Sequence, residues 1–292
     1  SWKTDEPLAG HTSMEVGGPA SFLALVDNPS ALESLLAHLK QTGQPWFILG
    51  GGTNTIFTDA GFPGVVISLS GEFNGICPES PQVIRVGAAT PLSTLVNTTV
   101  RMNLSGLEFC HGIPGQTGGA VAGNAGADGR GILDAVLSIR GITPGGEWLE
   151  LRPGADYAFS YRHYDGPEMI ITSIRIRLQP ADPADQTELL EKYRRIRSGQ
   201  PASKGVSGSI FKNPPGDFAG RLIDLAGLKG AALGGAVVSP RHGNWIINTG
   251  GASASDVIGL LEKCRSAVRY SFGVVLEPEV RIVHPPAPMA DV

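Results

Sequence analysis

The chain has 292 residues, enough for two domains or three small ones because a single core stops growing near roughly 250 residues. It is 41% apolar and 17% charged with a net charge of -4, and it lacks both the roughly 20-residue apolar run of a membrane span and the clustered cations that nucleic acid requires. Three isolated cysteines without a C-x-x-C pair and six scattered histidines predict plain thiols and no metal site, and the absence of a charged-then-apolar leader makes a cytoplasmic protein the expectation.

In chain order, Phe22–Val26 reads as a strand, and Pro29 to Gly43 as a helix with Leu32, Leu35, Leu36 and Leu39 on one face, Asn28 or Ser30 as cap and Gly43 as stop. Strands at 46–49 and 65–69 follow, the first running directly into Gly50-Gly51-Gly52-Thr53-Asn54. A second segment has a strand at 83–86, a helix at 92–102, a glycine-rich stretch from Gly106 to Gly131, and strands near 137–142, 147–151 and 169–178. A helix at 187–197 carries the basic run Tyr193-Arg194-Arg195-Ile196-Arg197, read as a solvated face, and Ser198-Gly199-Gln200-Pro201 marks a boundary. A third segment holds a short strand at 209–212, a helix at 218–226, a strand at 245–248, and a long helix from Ser255 with Val257, Leu260, Leu261, Cys264 and Val268 on its core stripe. A strand at 274–283 precedes a Pro-rich tail at 285–292, expected to be disordered. The fold class is α+β.

Two glycine runs concentrate the chemistry: Gly50–Asn54, and Gly112-Ile113-Pro114-Gly115-Gln116-Thr117-Gly118-Gly119. Neither has a P-loop lysine or the Gly-x-Gly-x-x-Gly spacing, so a diphosphate held by backbone N–H groups from two loops is the ligand they suggest. Tight turns are the plainer alternative, since glycine tolerates positive φ.

The stretch Gly106-Leu107-Glu108-Phe109-Cys110-His111-Gly112-Ile113-Pro114-Gly115, then Gly118-Gly119-Ala120-Val121-Ala122-Gly123-Asn124-Ala125-Gly126-Ala127, resembles a loop of flavoproteins with the vanillyl-alcohol-oxidase type of FAD domain, and Gly50–Asn54 resembles their pyrophosphate loop. The later motifs are Gly208-Ser209-Ile210-Phe211-Lys212-Asn213-Pro214, Ala219-Gly220-Arg221-Leu222-Ile223-Asp224, Gly234-Gly235-Ala236-Val237-Val238-Ser239 and Leu276-Glu277-Pro278-Glu279-Val280-Arg281. With them, the chain from about His11 to Val283 closely resembles the UDP-N-acetylenolpyruvoylglucosamine reductases of peptidoglycan synthesis.

The resemblance implies a two-part FAD-binding domain of vanillyl-alcohol-oxidase type, with segments 1–70 and 71–198, the latter joined by a returning strand at 274–284, and a C-terminal α+β substrate domain at 199–273. It implies noncovalent FAD, NADPH as hydride donor, and UDP-N-acetylglucosamine enolpyruvate as substrate, with no obligate protein partner. The expected FAD contacts are Gly50, Gly51, Gly52, Thr53, Asn54, Gly112, Ile113, Pro114, Gly115, Gly118, Gly119, Asn124 and Gly126, where small residues let amides close in and Asn54 and Asn124 add side-chain donors. Ser209 is the implied proton donor, Arg162 of Phe159-Ser160-Tyr161-Arg162 and Glu279 assist at the enolate, and Lys212 and Asn213 meet the sugar nucleotide. Cys110 and His111 are read as loop-core residues rather than flavin tethers.

Three positions depart from the family pattern: Thr53 for Ser, Asp128 for Tyr, and Tyr164 for Ser in Tyr-Arg-x-Ser. The short spacing from Arg162 to Ser209 resembles the family type that lacks an inserted tyrosine-bearing loop. The rival readings are an FAD oxidase of the same domain type, which would have no enolate for Ser209 to protonate, and a binding protein that has lost turnover.

Overall fold

The computed structural model describes residues 1–200 and 204–286, so Pro201 of the expected boundary cluster and most of the Pro-rich tail lie outside the described residues. The chain forms two compact units: unit 1 comprises Ser1, Ala24–Gly51 and Ile67–Gly199, and unit 2 comprises Trp2–Leu23, Gly52–Val66 and the described part of the chain from Gln200 onward.

A four-stranded sheet has the order Trp2–Pro7, Pro19–Val26, Phe62–Leu69, Trp46–Ile48. In unit 1 the first helix, α1 (Pro29–Thr42), starts where Asn28 Oδ1 accepts from Ala31 N–H and Pro29 presets φ, and it stops at Gly43 in the left-handed region. Its leucine stripe, Leu32, Leu35, Leu36 and Leu39, is buried.

The rest of unit 1 centres on an antiparallel sheet ordered Trp148–Leu151, Val136–Ile142, Ile170–Arg177, Val83–Gly87, Ile76–Ser80. Alternation sorts its two faces: Ile84, Val86, Ile139, Ile174 and Ile176 are buried, while Arg85, Arg140 and Arg175 stand on the exposed side. Helices α2 (Leu92–Arg101), α3 (Thr117–Ala122) and α4 (Pro183–Arg197) belong to the same unit. The last begins before the expected position 187, because Asp182 caps it and Pro183 fits the first turn.

Unit 2 contains α5 (Ala219–Leu225), α6 (Ala254–Phe272) and a small sheet ordered Ala232–Leu233, Ala236–Val238, Ile246–Asn248. A Ser253/Asp256 capping box starts α6 and left-handed Gly273 ends it. Its stripe of Val257, Leu260, Leu261, Cys264 and Val268 packs in one core with Ile210, Phe211, Leu222, Ile223, Val238, Ile246 and Leu276, and with Met14, Val16 and Ile56 from the N-terminal segments.

Two strand expectations are corrected. The 209–212 stretch makes a single bridge, Phe211↔Pro278, because the side chain of Asn244 occupies the hydrogen-bonding positions that a second partner strand would use. Of 274–283 only Arg281–Val283 is strand, and it does not return to the 71–198 segment. It pairs in parallel with Thr55–Phe57, a strand directly after the first glycine run that local pattern did not reveal because three residues are too few to show a period.

Candidate active site

In unit 1 the second glycine run bridges the turn at Glu108–Cys110 and α3. Gly112 and Gly115 have φ of 74° and 107°, conformations that favour glycine. Hydrogen bonds from Leu92 N–H to Gly115 O at 2.9 Å and from Gly118 N–H to Ala88 O at 2.8 Å fasten the loop, with Ile113 and Pro114 at its tip. Gly51 lies against this loop so closely that a Cβ on it would come within 2.9 Å of Gly115 Cα, while an added Cβ at Gly119 would meet nothing within 4 Å. The two glycine motifs, far apart in sequence, are therefore neighbours. The backbone N–H groups of Gly50, Gly51, Gly115 and Gln116 find no acceptor among the described residues.

Arg162 sits in a two-residue hairpin loop with Tyr161, between Ala158–Ser160 and His163–Asp165, and has φ of 53°. A non-glycine residue in that region is held there by its surroundings. Its guanidinium donates from Nη1 to Asn124 O at 3.2 Å and from Nη2 to Gly126 O at 2.9 Å, and lies 5.2 Å from the centroid of the Tyr161 ring. Asn124 itself is buried, donating from Nδ2 to Ser160 O at 2.8 Å and accepting at Oδ1 from Leu133 N–H at 3.2 Å. Its amide, expected to face a diphosphate, is committed to the protein's own backbone. Gly126 is demanded by the Gly126–Ala127/Arg130–Gly131 hairpin, since a Cβ there would fall 1.8 Å from Arg130 O.

In unit 2, Gly52 has φ of 63° and a Cβ on it would come within 1.9 Å of His11 O. The N–H groups of Gly52 and Thr53 also lack acceptors among the described residues. Asn54 Nδ2 donates to Glu279 O at 2.9 Å, and Arg281 N–H donates to Asn54 O at 3.0 Å. The Ser209 segment is stitched on both sides. Asn244 takes one side, accepting from Ile210 N–H at 3.0 Å through its backbone and clasping both the N–H and the C=O of Phe211 with its side chain, at 2.9 and 2.7 Å. On the other side Ile210 O accepts from Glu279 N–H at 2.8 Å, and Lys212 N–H donates to Glu277 O at 2.9 Å. Ser209 and Glu279 thus belong to paired backbones. Lys212 Nζ forms an ion pair with Glu277 at 2.6 Å, and Asn213 Oδ1 accepts from Ala219 N–H at 3.1 Å, leaving its amide donors for other partners. No local signal in the sequence marks Asn244, because its role depends on the Phe211 segment, 33 residues away along the chain.

Comparisons with known proteins place the chain in a family. Residues 20–152 match the family profile "FAD binding domain", and residues 200–283 match "UDP-N-acetylenolpyruvoylglucosamine reductase, C-terminal domain". UDP-N-acetylenolpyruvoylglucosamine reductase 2 of Symbiobacterium thermophilum is 41% identical over 95% of this chain and 90% of its own. The reductase of Geobacter sulfurreducens is 42% identical over 95% and 92%. The crystal structure of the Thermus caldophilus enzyme superposes with a TM-score of 0.83 at 36% identity, over 97% of this chain and 98% of that one. The chain belongs to the UDP-N-acetylenolpyruvoylglucosamine reductase family.

Cys110 is buried in unit 1, and burial pushes its thiol up to about 12, so it stays protonated and unreactive near neutral pH. Of the positions that depart from the family pattern, Tyr164 packs its ring 5.1 Å from that of Tyr157 and burial raises its phenol, while Asp128, at φ of 56°, pairs with Lys192 of α4 at 2.5 Å. Among the described residues no cluster of metal ligands occurs and no helix is long and apolar enough to cross a membrane.

Proposed function

We propose that this chain reduces UDP-N-acetylglucosamine enolpyruvate to UDP-N-acetylmuramate, using noncovalent FAD and NADPH, in the cytoplasm. The observation that supports the reading is the bond from Glu279 N–H to Ile210 O, next to Ser209, within unit 2, which gives a hydroxyl and a carboxylate matching the family's proton-transfer positions a common support. When bound, FAD supplies hydride transfer from NADPH to the vinyl carbon. In this reading the flavin is held by segments 1–70 and 71–198, as a vanillyl-alcohol-oxidase type of domain, and 199–273 receives the sugar nucleotide.

The acceptor-free N–H groups of Gly50, Gly51, Gly115 and Gln116 in unit 1 offer neutral donors to a diphosphate, a task suited to glycine loops because no Cβ keeps the anion away. Arg162 presents a fixed guanidinium to the substrate carboxylate, whose partner charge grows as the enolate forms. Ser209 delivers the proton to the adjacent carbon, and Glu279 orients the carboxylate or shares that proton. Lys212, its charge already shared with Glu277, and Asn213, through its free amide donors, hold the sugar nucleotide.

The test is the pair of half-reactions followed anaerobically by flavin absorbance. Ser209→Ala is expected to leave NADPH-driven flavin reduction within about two-fold and to slow substrate-driven reoxidation about 100-fold or more, the range of general-acid contributions. Equal loss in both half-reactions removes Ser209 from the donor role, and reoxidation that proceeds only with oxygen favours an oxidase.

A further inference from the structure

Asn124 stands in a loop that the family pattern would assign to the flavin, yet its side chain is occupied elsewhere. The residue is 5% exposed, with φ of 41°, a left-handed conformation that asparagine tolerates better than most residues. Two of its polar groups reach the hairpin that carries Arg162, and a third ties Asn124 to a separate turn. Nδ2 fixes Ser160 O, the carbonyl at the entry of the hairpin loop; its own backbone O receives Arg162 Nη1; and Oδ1 is anchored by Leu133 N–H. Gly131 has room for no side chain because a Cβ there would lie 2.3 Å from Asn124 Oδ1. The hairpin that carries Arg162 is therefore fastened at the entry of its loop and at the tip of its functional side chain by the same residue.

From this geometry we infer that Asn124 is a positioning residue for Arg162, setting the guanidinium for the substrate carboxylate rather than binding the cofactor. The inference rests on the role given to Arg162 above. A long side chain at a left-handed loop tip has many rotamers, and catalysis that uses charge in the transition state needs one of them held in advance. The carbonyls of Asn124 and Gly126 select that rotamer, and the Asn124 amide keeps the loop from moving relative to them. Asn124 acts on the second half-reaction only, since Arg162 has no task in accepting hydride from NADPH.

The experiment is a double-mutant cycle of Asn124→Gly and Arg162→Ala on the flavin-loaded enzyme. Glycine adopts the required φ without strain, so N124G deletes the side-chain bonds while preserving the backbone carbonyl and the fold. N124G is expected to retain flavin, to be reduced by NADPH within about two-fold of the parent, and to be reoxidised by substrate about 10-fold more slowly; in the R162A background it should add less than about two-fold. Loss of flavin, equal slowing of both half-reactions, or full additivity with R162A would overturn the inference and return Asn124 to a cofactor or purely structural role. If R162A slows reoxidation and N124G does not, the positioning role alone falls. If R162A slows nothing, the assignment of Arg162 falls and takes this inference with it.

Discussion

His242 shows how one residue in unit 2 ties stability to pH. Its ring is partly buried, its centroid 6.3 Å from that of Trp245 in an edge-on arrangement, and its Nδ1 accepts from Asn244 N–H at 3.2 Å, which requires that nitrogen to be unprotonated. Burial first, and the charge of Lys229 second, hold its pKa below the ordinary histidine value. The unfolded chain therefore binds more protons between the folded value and about 6.5, so stability rises with pH through that window and falls as pH is lowered from it. Melting curves at pH 5.5 and 7.5 should differ more for the parent than for His242→Gln, and an unchanged difference would dismiss the histidine as its source. The same scale explains a limit of sequence reading. Asn54 and Asn124 were legible as donors, but the carbonyls they bond lie 225 and 36 residues away, so residue type could not say whether a ligand or the backbone would receive them.

The helix stripes were legible because their signals are local: Asn28 caps α1, Gly43 ends it, and the leucine and valine stripes appear at helical spacing. The sequence pattern misses the caps Asp182 and Ser253, starts α4 late at 187, and leaves the short α3 hidden in the glycine-rich stretch. What the pattern of α6 could not contain is its partner in trans. Asp59, at the turn after Thr55–Phe57, accepts from Ala254 N–H at 2.7 Å and from Ser255 N–H at 2.9 Å, supplementing the cap at the helix start. Burial opposes the Asp59 charge, but the hydrogen bonds from Ser255 and Ala254 outweigh it and hold the carboxyl below its usual range. Its stabilisation is present above the ordinary aspartate value and is lost as pH falls through the folded one. Asp59→Ala is expected to lower stability by about 1 kcal/mol, in line with lost helix caps and tempered by solvent exposure. A urea midpoint that does not move at pH 7, and does not converge with the parent near pH 3, would contradict this. Short strands fared worst: Thr55–Phe57 and Arg281–Val283 exist because they pair with each other, and neither is long enough to declare itself.

At the scale of the molecule, thiol accessibility reports on the fold. Cys77 is exposed, whereas Cys110 and Cys264 are buried and burial pushes their thiols up to about 12 and about 11. A native sample should react with one equivalent of an aromatic disulfide reagent quickly and release all three thiols only on denaturation, since attack requires both access and thiolate. Fast reaction of two or three thiols would show that the cores of the units open readily. Both units are assembled from separated stretches of chain, with unit 2 taking Trp2–Leu23 and Gly52–Val66 together with the C-terminal part. Those early stretches enter its core through Met14, Val16 and Ile56.

Composition and periodicity by themselves determined the α+β class, the stripes of α1 and α6, and the two glycine runs, because each depends on neighbours within a few turns of chain. The family motifs carried the reaction, since they hold chemistry-bearing residues in a fixed order. Tertiary structure alone decided that Gly51 meets Gly115, that Glu279 pairs with the Ser209 segment, and that Asn124 holds Arg162. Hydrogen bonds and close backbone approaches between distant segments are set by how the whole chain packs, and no local pattern encodes their partners.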